Sequence, residues 1–303
     1  MKKIISILVV VAVAAMSVGC CDKRCESQEL SFTQLMEQST PEQIEAWYNG
    51  GSRLDEEFTK AHAEELRKQK KLLVFDLDGT LSNHRCPMPE ESRALLDALG
   101  KKYHLVMCGA GNVARVFNQM GKYPIDLVGN YGMMHAKVEN GELVITKKVV
   151  DDIDKEFFLR ETTRLREKYG YTKYAGEPIE WHPSGMVTFA LLGTEAKKED
   201  KLAFDPDRAK RRVMYPEVLE IFKDYTVFIG GSSSFDIVEK QYNKYDATME
   251  YAKMHGYTKE QVLYMGDDMG DGGGDSHIRL GGIDYIHVLD YTKISEMLAF
   301  LLE

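Results

Sequence analysis

Two carboxylates, two residues apart, follow a short apolar segment in the first third of the chain. The segment LLVF at 72–75 is typical of a buried parallel strand, and Asp76 and Asp78 come directly after it, ahead of Gly79. Because residues two apart in extended chain point the same way, both carboxylates are expected to face one site. Such oxygen donors suit a hard cation such as Mg²⁺, and a carboxylate beside that ion can attack phosphorus. A calcium loop has similar residues, but an EF-hand needs glycine where Leu81 stands.

A second acidic segment follows another apolar strand near the C-terminus. The segment GDDMGDGGGD at 266–275 contains five glycines and four aspartates, and the apolar segment 261–265 precedes it. Gly/Asp turns are common on protein surfaces, so this segment alone indicates little. Paired with the first motif, in this order along the chain, it indicates a binding site for a divalent cation.

Strands and helices alternate around both acidic segments. Apolar runs predict further strands, and helical patterns separate them; the strands are expected at 103–108, 261–265 and 285–289, and the helices at 89–99, 113–120 and 248–255. This alternation predicts βαβ units and an open parallel sheet. Such sheets bind ligands beyond the carboxyl ends of their strands, where both acidic segments are expected to lie.

The middle of the chain has a different pattern, which indicates an inserted α+β unit. Helices are expected at 151–169 and 205–222, and strands at 185–192, 225–230 and 235–239. We interpret this stretch as an antiparallel sheet covered by two helices.

The two motifs resemble those of the haloacid dehalogenase superfamily of phosphoryl-transfer enzymes. Within that superfamily, the segment GGSSSFD at 230–236, Lys244 eight residues later and the segment 266–275 resemble the eukaryotic-type phosphomannomutase family. The family pattern is GG-x-x-SFD, a lysine, and GD-x-x-x-x-GGND. The resemblance covers about residues 70–290.

The resemblance implies an α/β fold: a Rossmann-like core with a parallel sheet and an inserted α+β cap. The expected organisation is a signal at 1–19, a tether with helices at 20–69, a first core part at 70–149, the cap at 150–236 and a second core part at 237–303. Relatives in this family dimerise through the cap, so a homodimer is also an expectation.

The resemblance also implies roles for the acidic residues and one lysine. Asp76 would be the nucleophile that forms an aspartyl-phosphate, and Asp78 would be the general acid and base. Mg²⁺ would be held by Asp76, Asp267 and the carbonyl of Asp78, with Asp275 supporting the loop. Lys244 would balance the charge of Asp76 and the phosphoryl group.

Substrate-binding positions both match and depart from the family. Arg85, Ser234 and Asp236 stand where the family binds its sugar phosphate. The family's cap arginines, however, correspond to Thr194 and Lys201. Neither residue reproduces the bidentate grip of an arginine on phosphate, so a second phosphate would be held less firmly.

Three functions are compatible with these residues. The leading one is a Mg²⁺-dependent phosphatase that hydrolyses a small phosphorylated metabolite such as a sugar phosphate, because a phosphatase needs only one phosphoryl site. The alternative is a phosphomannomutase or phosphohexomutase. The third is a non-catalytic envelope lipoprotein that binds a glycan or a partner, which the retained catalytic set opposes.

Composition agrees with a folded protein that handles small molecules. The chain has 303 residues, 44% of them hydrophobic, and 48 acidic against 39 basic side chains give a net charge of −9. A disordered chain would be poorer in apolar residues, and a nucleic-acid surface would need a basic stripe, so no nucleic-acid partner is expected.

The N-terminus has the layout of a bacterial export signal. Two lysines precede an apolar run at 4–18, which is short for a membrane span, and Cys20 follows a small residue. We expect a lipid anchor at Cys20 and a periplasmic or cell-envelope location. In that oxidising setting Cys86 and Cys108 can pair or stay free, and the sequence does not decide between the two. A helix is expected to begin near Thr40 and to present Trp47 on its apolar face.

Overall fold

The structure is a computed structural model that describes Thr40 and residues 52–303. The predicted signal at 1–19, the anchor at Cys20 and the helix around Trp47 lie outside the described residues. Among the described residues, no helix is both long enough and apolar enough to cross a membrane.

Eleven strands in the described residues form two separate sheets. In chain order they are β1 (Leu72–Phe75), β2 (His104–Cys108), β3 (Asp126–Gly129), β4 (Met134–Glu139), β5 (Glu142–Lys148), β6 (Ile179–Trp181), β7 (Val187–Ala190), β8 (Tyr225–Phe228), β9 (Ser234–Glu239), β10 (Val262–Gly266) and β11 (Tyr285–His287).

Ten α-helices accompany these strands in the part of the chain that the structure describes. They are α1 (Glu56–Ala61), α2 (Ala63–Gln69), α3 (Glu90–Leu99), α4 (Val113–Gln119), α5 (Lys155–Tyr169), α6 (Lys198–Phe204), α7 (Ala209–Ile221), α8 (Lys244–Met254), α9 (Ser276–Gly281) and α10 (Ile294–Met297).

The larger sheet is the core, with strand order β11-β10-β1-β2-β3-β4-β5. Its first five strands are parallel, and β4 and β5 add an antiparallel edge. The central strand β1 is fully buried, as expected for a parallel strand covered on both faces. The predicted α/β core with its mostly parallel sheet is therefore confirmed.

The smaller sheet is antiparallel, with order β6-β7-β9-β8, and it belongs to the inserted cap. Along β9 the side chains alternate between its two faces. Phe235 and Ile237 pack in the apolar cluster that also contains Phe158 of α5 and Met214 of α7. Asp236 points to the opposite face, toward the core.

Local hydrogen bonds explain where several elements differ from the predictions. The helix expected from 151 begins after Asp154, whose carboxylate accepts the amide of Phe157 at 3.0 Å and caps α5. The helix expected from 205 begins at 209, because the left-handed backbone of Arg208 (φ +61°) interrupts it, and Asp205 accepts the amide of Lys210 at 2.9 Å. Likewise Asn243 caps α8, which starts earlier than the predicted residue 248.

Some elements lie where no element was expected. These are the strands β3 to β6 and the short helices α6, α9 and α10. The charged segment after residue 54 forms α1 and α2, and Leu54 and Leu66 are buried in the apolar cluster of the core. These helices pack on the main body through Leu66.

Candidate active site

The acidic segments meet at the carboxyl ends of β1 and β10, which pair in parallel in the middle of the core sheet. Asp76 directly follows β1, and Asp267 directly follows β10. Carboxylate oxygens of Asp76, Asp267 and Asp275 lie within 4.8 Å of one another. The structure thus brings three of the four acids predicted to surround a cation into one cluster.

Lys244, the first residue of α8, joins two of these carboxylates. Its Nζ lies 2.9 Å from Oδ1 of Asp76 and 2.8 Å from Oδ1 of Asp275, and its side chain is almost fully buried. The hydroxyl of Tyr264 donates to the same Asp275 oxygen at 2.6 Å, and the amide of Asp268 donates to Oδ2 at 3.0 Å. Since both Asp275 oxygens accept hydrogen bonds from the protein, Asp275 positions Lys244 and the loop.

Burial and mutual repulsion dominate the electrostatics of the cluster. Burial, with repulsion from neighbouring carboxylates, raises the pKa of Asp76 to about 7 although Lys244 opposes the rise. The pKa of Asp267 is raised to about 7 for the same reasons. Burial disfavours the ammonium of Lys244, but Asp275 and Asp76 overcome this effect and raise its pKa above the ordinary value.

These donors fit a divalent cation. The three clustered groups are all hard oxygen donors, and one lysine balances only one of their charges. An oxygen of the Asp267 carboxylate lies 3.9 Å from Nε2 of His84, and the side chain of Asp267 keeps 17% exposure. Asp76 and Asp267 therefore have the oxygen atoms that a cation would use.

Gly79 allows the backbone after Asp78 to pass directly against this cluster. A Cβ at position 79 would overlap the carboxylate of Asp267, and the residue has φ +91°. Only glycine combines that conformation with so close an approach. The DLDGT motif therefore requires its glycine for two separate reasons.

Asp78 occupies a different environment from Asp76. Its Oδ1 accepts the side-chain amide of Gln119 at 2.6 Å and the backbone amide of Arg85 at 2.7 Å, and Arg115 lies 3.5 Å from Oδ2. Burial tends to raise the pKa of Asp78, but Arg115 and these hydrogen bonds lower it overall. These contacts favour the ionised side chain, and only the backbone carbonyl of Asp78 was expected at the metal.

A cavity of about 460 Å³ lies between the core edge and the cap. The predicted substrate residues Arg85, Ser234 and Asp236 all line it, together with Asp76 and Lys244. This volume is in the range of small-molecule sites. The structure therefore places the predicted substrate residues and the predicted nucleophile, Asp76, around one space.

Asp236 is the centre of a buried polar network on the cap side of this cavity. Its Oδ1 accepts the hydroxyl of Thr188 at 3.0 Å, and its Oδ2 accepts the hydroxyl of Tyr131 at 3.1 Å. Thr188 also lies 3.1 Å from the ring Nε2 of His182. Burial raises the pKa of Asp236, while Thr188, His182 and Tyr131 act in the opposite direction.

Ser234 and Arg85 are placed differently from each other. The hydroxyl of Ser234 donates to the carbonyl of Gly230 at 3.1 Å, so this side chain shapes the loop. Arg85 is exposed at the cavity mouth, and within residues 52–303 its guanidinium makes no hydrogen bond. Arg85 is thus available for an anionic ligand.

The cap positions where the family has arginines point elsewhere. The hydroxyl of Thr194 accepts the amide of Glu177 at 2.9 Å, and the ammonium of Lys201 donates to the carbonyl of Thr194 at 2.9 Å. Neither residue lines the cavity. Neither side chain is therefore placed to contact a phosphate group in the cavity.

Several cavity residues were not identified from the sequence. Tyr131 and Arg208 belong to segments without a motif. Thr188 lies on β7 of the cap sheet, and His182 directly follows β6. A positive φ at Tyr131 (+55°) and Arg208 (+61°) marks both as unusual, but this signal exists only in the structure.

The two cysteines of the core are free thiols. Burial raises the pKa of Cys108 to about 12, so its thiol is unreactive at neutral pH. Cys86 is partly exposed, and the ammonium of Lys198 approaches its sulfur to 3.3 Å. Cys86 and Cys108 therefore form no disulfide with each other in this structure.

Known proteins resemble this chain in sequence. Residues 189–272 match the family model of haloacid dehalogenase-like hydrolases. A phosphomannomutase of Encephalitozoon cuniculi is 28% identical over 223 residues, covering 70% of this chain and 85% of the relative. A phosphomannomutase of Saccharomyces cerevisiae is 23% identical over 223 residues, with 70% of this chain and 85% of the relative covered.

Solved structures share the fold. The C-terminal domain of C. albicans trehalose-6-phosphate phosphatase superposes with a TM-score of 0.54 at 16% identity, covering 80% of this chain and 96% of that domain. A haloacid dehalogenase-like hydrolase from B. subtilis gives a TM-score of 0.52 at 14% identity, covering 76% of this chain and 98% of that one. The comparisons thus show that residues 189–272 are similar to haloacid dehalogenase-like hydrolases and that this chain shares the fold of the two solved structures.

Proposed function

We propose that this chain is a Mg²⁺-dependent phosphatase that hydrolyses a small phosphate ester, of the sugar phosphate class, through a phosphoryl group carried on Asp76. The observation that carries the proposal is the bridge from Lys244 to Asp76 and Asp275, with Asp267 in the same cluster. Two carboxylates beside a buried lysine, at the carboxyl end of a parallel sheet and under a cap, suit phosphoryl transfer.

In the first step a carboxylate oxygen of Asp76 attacks phosphorus, the P–O bond to the substrate breaks, and the leaving oxygen takes a proton from Asp78. Lys244 holds Asp76 at 2.9 Å and offsets the negative charge of the phosphoryl group. When bound at Asp76 and Asp267, Mg²⁺ supplies charge neutralisation at the phosphoryl oxygens. The backbone amides of Ala110 and Gly111 line the same cavity and make no hydrogen bond to another described residue, so they are available to those oxygens.

In the second step water attacks the phosphoryl group, and Asp78 takes the proton of that water. The hydrogen bonds from Gln119 and from the amide of Arg85, with nearby Arg115, favour the ionised form of Asp78 that this step needs. The proton gained here is the one donated in the next first step, so the cycle balances.

The cap side of the cavity supports a polyhydroxylated substrate. Asp236, Thr188, His182 and Glu180 offer acceptors and donors, and Trp181 offers an apolar face. A sugar hydroxyl can exchange with the hydroxyl groups that Asp236 now accepts, since both make the same kind of hydrogen bond.

A phosphohexomutase is the second candidate. The sequence relatives carry that activity in their names, and Arg85, Ser234 and Asp236 match the family positions. Against it, Thr194 and Lys201 are bonded to each other and lie away from the cavity, so the second phosphate of a bisphosphate has no partner there.

One screen separates the two candidates. The protein is incubated with Mg²⁺ and a panel of hexose 1- and 6-phosphates and other small esters, with and without a hexose bisphosphate. Phosphate release without isomerisation supports the phosphatase. Interconversion of the 1- and 6-phosphates that requires the bisphosphate supports the mutase. Failure of every ester to react, with Asp76→Asn equally inert, would overturn both.

Export and a lipid anchor at Cys20 are also part of the proposal, and they rest on residues 1–20 alone. The test is fractionation of cells that express the full chain: membrane association that Cys20→Ser abolishes is expected, and unprocessed protein in the soluble fraction would contradict it. A homodimer through the cap is proposed from the resemblance, and sedimentation equilibrium measures it.

A further inference from the structure

Arg208 extends from the cap into the cavity that contains the acidic cluster. It precedes α7, lines the same cavity as Asp76 and Lys244, and pairs with the carboxylate of Asp268 on the core loop. The pair therefore joins the cap to the loop that carries Asp267.

The backbone of Arg208 adopts an uncommon conformation. Its φ is +61°, in the left-handed region that costs a non-glycine residue free energy. A glycine at this position would avoid that cost. An arginine in such a conformation points to a use for its side chain.

A buried ion pair fixes the turn from which Arg208 projects. Arg211 donates to Asp205 at 2.8 Å, and both side chains are almost fully buried. Arg211 also donates to the carbonyls of Gly230 at 2.7 Å and Gly231 at 3.0 Å. These contacts of Arg211 restrict the direction in which the side chain of Arg208 leaves the cap.

The carboxylate of Asp268 has a hydrogen-bond donor other than Arg208. Its Oδ2 accepts the amide of Gly274 at 2.8 Å, and its side chain keeps 14% exposure. Arg208 has 20% exposure, and its charge also acts on Asp267 and Asp275. The guanidinium can thus exchange a carboxylate for another anion in the same space.

We propose that Arg208 is a phosphoryl-binding residue supplied by the cap. When a phosphoryl group occupies the site at Asp76, the guanidinium of Arg208 donates hydrogen bonds to its oxygens. When the site is empty, the guanidinium pairs with Asp268. Arginine binds phosphate oxygens in a bidentate manner, which neither lysine nor threonine reproduces. This inference rests on the proposed function, because it requires a phosphoryl site at Asp76. It makes binding of the phosphoryl group depend on a closed cap.

The test measures binding of inorganic phosphate to the full chain in saturating Mg²⁺ by calorimetry, so that it does not depend on turnover. Arg208→Gly removes the guanidinium and fits the left-handed backbone, and Arg208→Lys keeps the charge. We expect phosphate to bind roughly tenfold or more weakly to both variants, because charge-assisted hydrogen bonds are lost. As the control, Arg212→Ala removes an exposed arginine of α7, the helix that follows Arg208. This variant should change the affinity for phosphate less than about twofold.

Asp268→Asn distinguishes ligand binding from a simple latch. If Arg208 binds phosphate, this variant keeps or increases phosphate affinity, because the guanidinium loses a competing carboxylate. If the pair only holds the cap closed, Asp268→Asn and Arg208→Gly should weaken phosphate binding equally, which would overturn the inference.

Hydrogen exchange supplies a second readout. Phosphate should slow exchange in residues 205–211 of the unmodified protein and not in Arg208→Gly. Unchanged phosphate affinity in Arg208→Gly would overturn this inference alone, whereas absence of Mg²⁺-dependent phosphate binding in the unmodified protein, together with no ester hydrolysis, would overturn the proposed function.

Discussion

The Nζ atom of Lys244 lies 2.9 Å from Oδ1 of Asp76. Lys244 is the first residue of α8, which begins five residues after the cap strand β9 ends at Glu239. The same ammonium lies 2.8 Å from Asp275, on the loop after β10. One lysine therefore connects the proposed nucleophile Asp76, the acidic loop after β10 and the segment in which the chain returns from the cap. The charge of Asp76 therefore depends on where Lys244 and the acidic loop are held.

Loss of this lysine should affect stability and catalysis together. Lys244→Met leaves Asp76 and Asp275 buried without their cationic partner, so we expect the metal-free protein to lose about 3–5 kcal/mol of unfolding free energy. Phosphate release should fall by roughly 10²–10³-fold. Urea denaturation and steady-state hydrolysis measure the two effects. Lys253→Met, exposed on the same helix, is the matched control and should change neither; an equal loss in both variants would show that the ion pair is unimportant.

Mg²⁺ should stabilise the protein more at pH 8 than at pH 5.5. The pKa of Asp76 and Asp267 is about 7 in the folded protein against an ordinary value of 3.8, so the metal-free fold binds extra protons between these values and loses stability as the pH rises through them. A cation requires the deprotonated carboxylates, and its binding therefore stabilises most above pH 7.

Thermal unfolding with Mg²⁺ or with EDTA at both pH values tests this relation. The increase in Tm on adding Mg²⁺ should be large at pH 8, small at pH 5.5, and absent in Asp267→Asn. Asp271→Asn changes an exposed aspartate of the same loop and should retain the full shift. A Mg²⁺ effect that survives in Asp267→Asn would place the ion elsewhere.

Gly79 should be more sensitive to substitution than a glycine with similar backbone geometry. Gly79 and Gly141 have φ of +91° and +81°, but a Cβ at 79 would overlap Asp267, whereas a Cβ at 141 meets nothing within 4 Å. Both alanine variants should lose about 1–3 kcal/mol from backbone strain. Only Gly79→Ala should also lose the Mg²⁺-dependent increase in Tm, because it displaces a ligand. Equal behaviour of the two variants would mean that the contact with Asp267 has no role.

Asp78 takes part in both steps, but with a reactive ester, whose leaving group needs no proton, its loss should slow mainly the second step. Asp78→Asn removes the proton acceptor for water, and hydrolysis should fall roughly 10²–10⁴-fold. Gln119→Ala removes one hydrogen bond to Asp78 at 2.6 Å and should cause a smaller decrease with a shifted pH profile. Rapid-quench kinetics can separate the two steps, and a variant that keeps the normal rate of the second step would exclude Asp78 as the base.

The acidic residues were predictable because their neighbours in sequence fix their place in space. Asp76 and Asp267 each follow an apolar strand, and parallel strands end at one edge of the sheet. Lys244 needed a family resemblance, since a single lysine has no local signal. The hairpin of β4 and β5 was missed although Asn140 and Gly141 form its turn, a dipeptide that favours such hairpins.

Other cavity residues depend on how the cap meets the core. Tyr131 belongs to the core, yet its hydroxyl donates to Asp236 of the cap and its ring stacks on Phe228 at 4.1 Å. Arg208 belongs to the cap and contacts Asp268 of the core. No periodicity or spacing links these pairs, which are 105 and 60 residues apart in sequence. Tertiary packing alone brings them together.

The central claim is that a phosphoryl group is carried on Asp76. The most direct measurement is acid-quenching of the protein during turnover of a reactive phosphate ester with Mg²⁺, followed by peptide mapping by mass spectrometry. Asp78→Asn serves as the background in which the intermediate accumulates. The account predicts one phosphate, labile to hydroxylamine, on the peptide that contains Asp76, and none in Asp76→Asn. Turnover that continues in Asp76→Asn, or a phosphate on another residue, would contradict it.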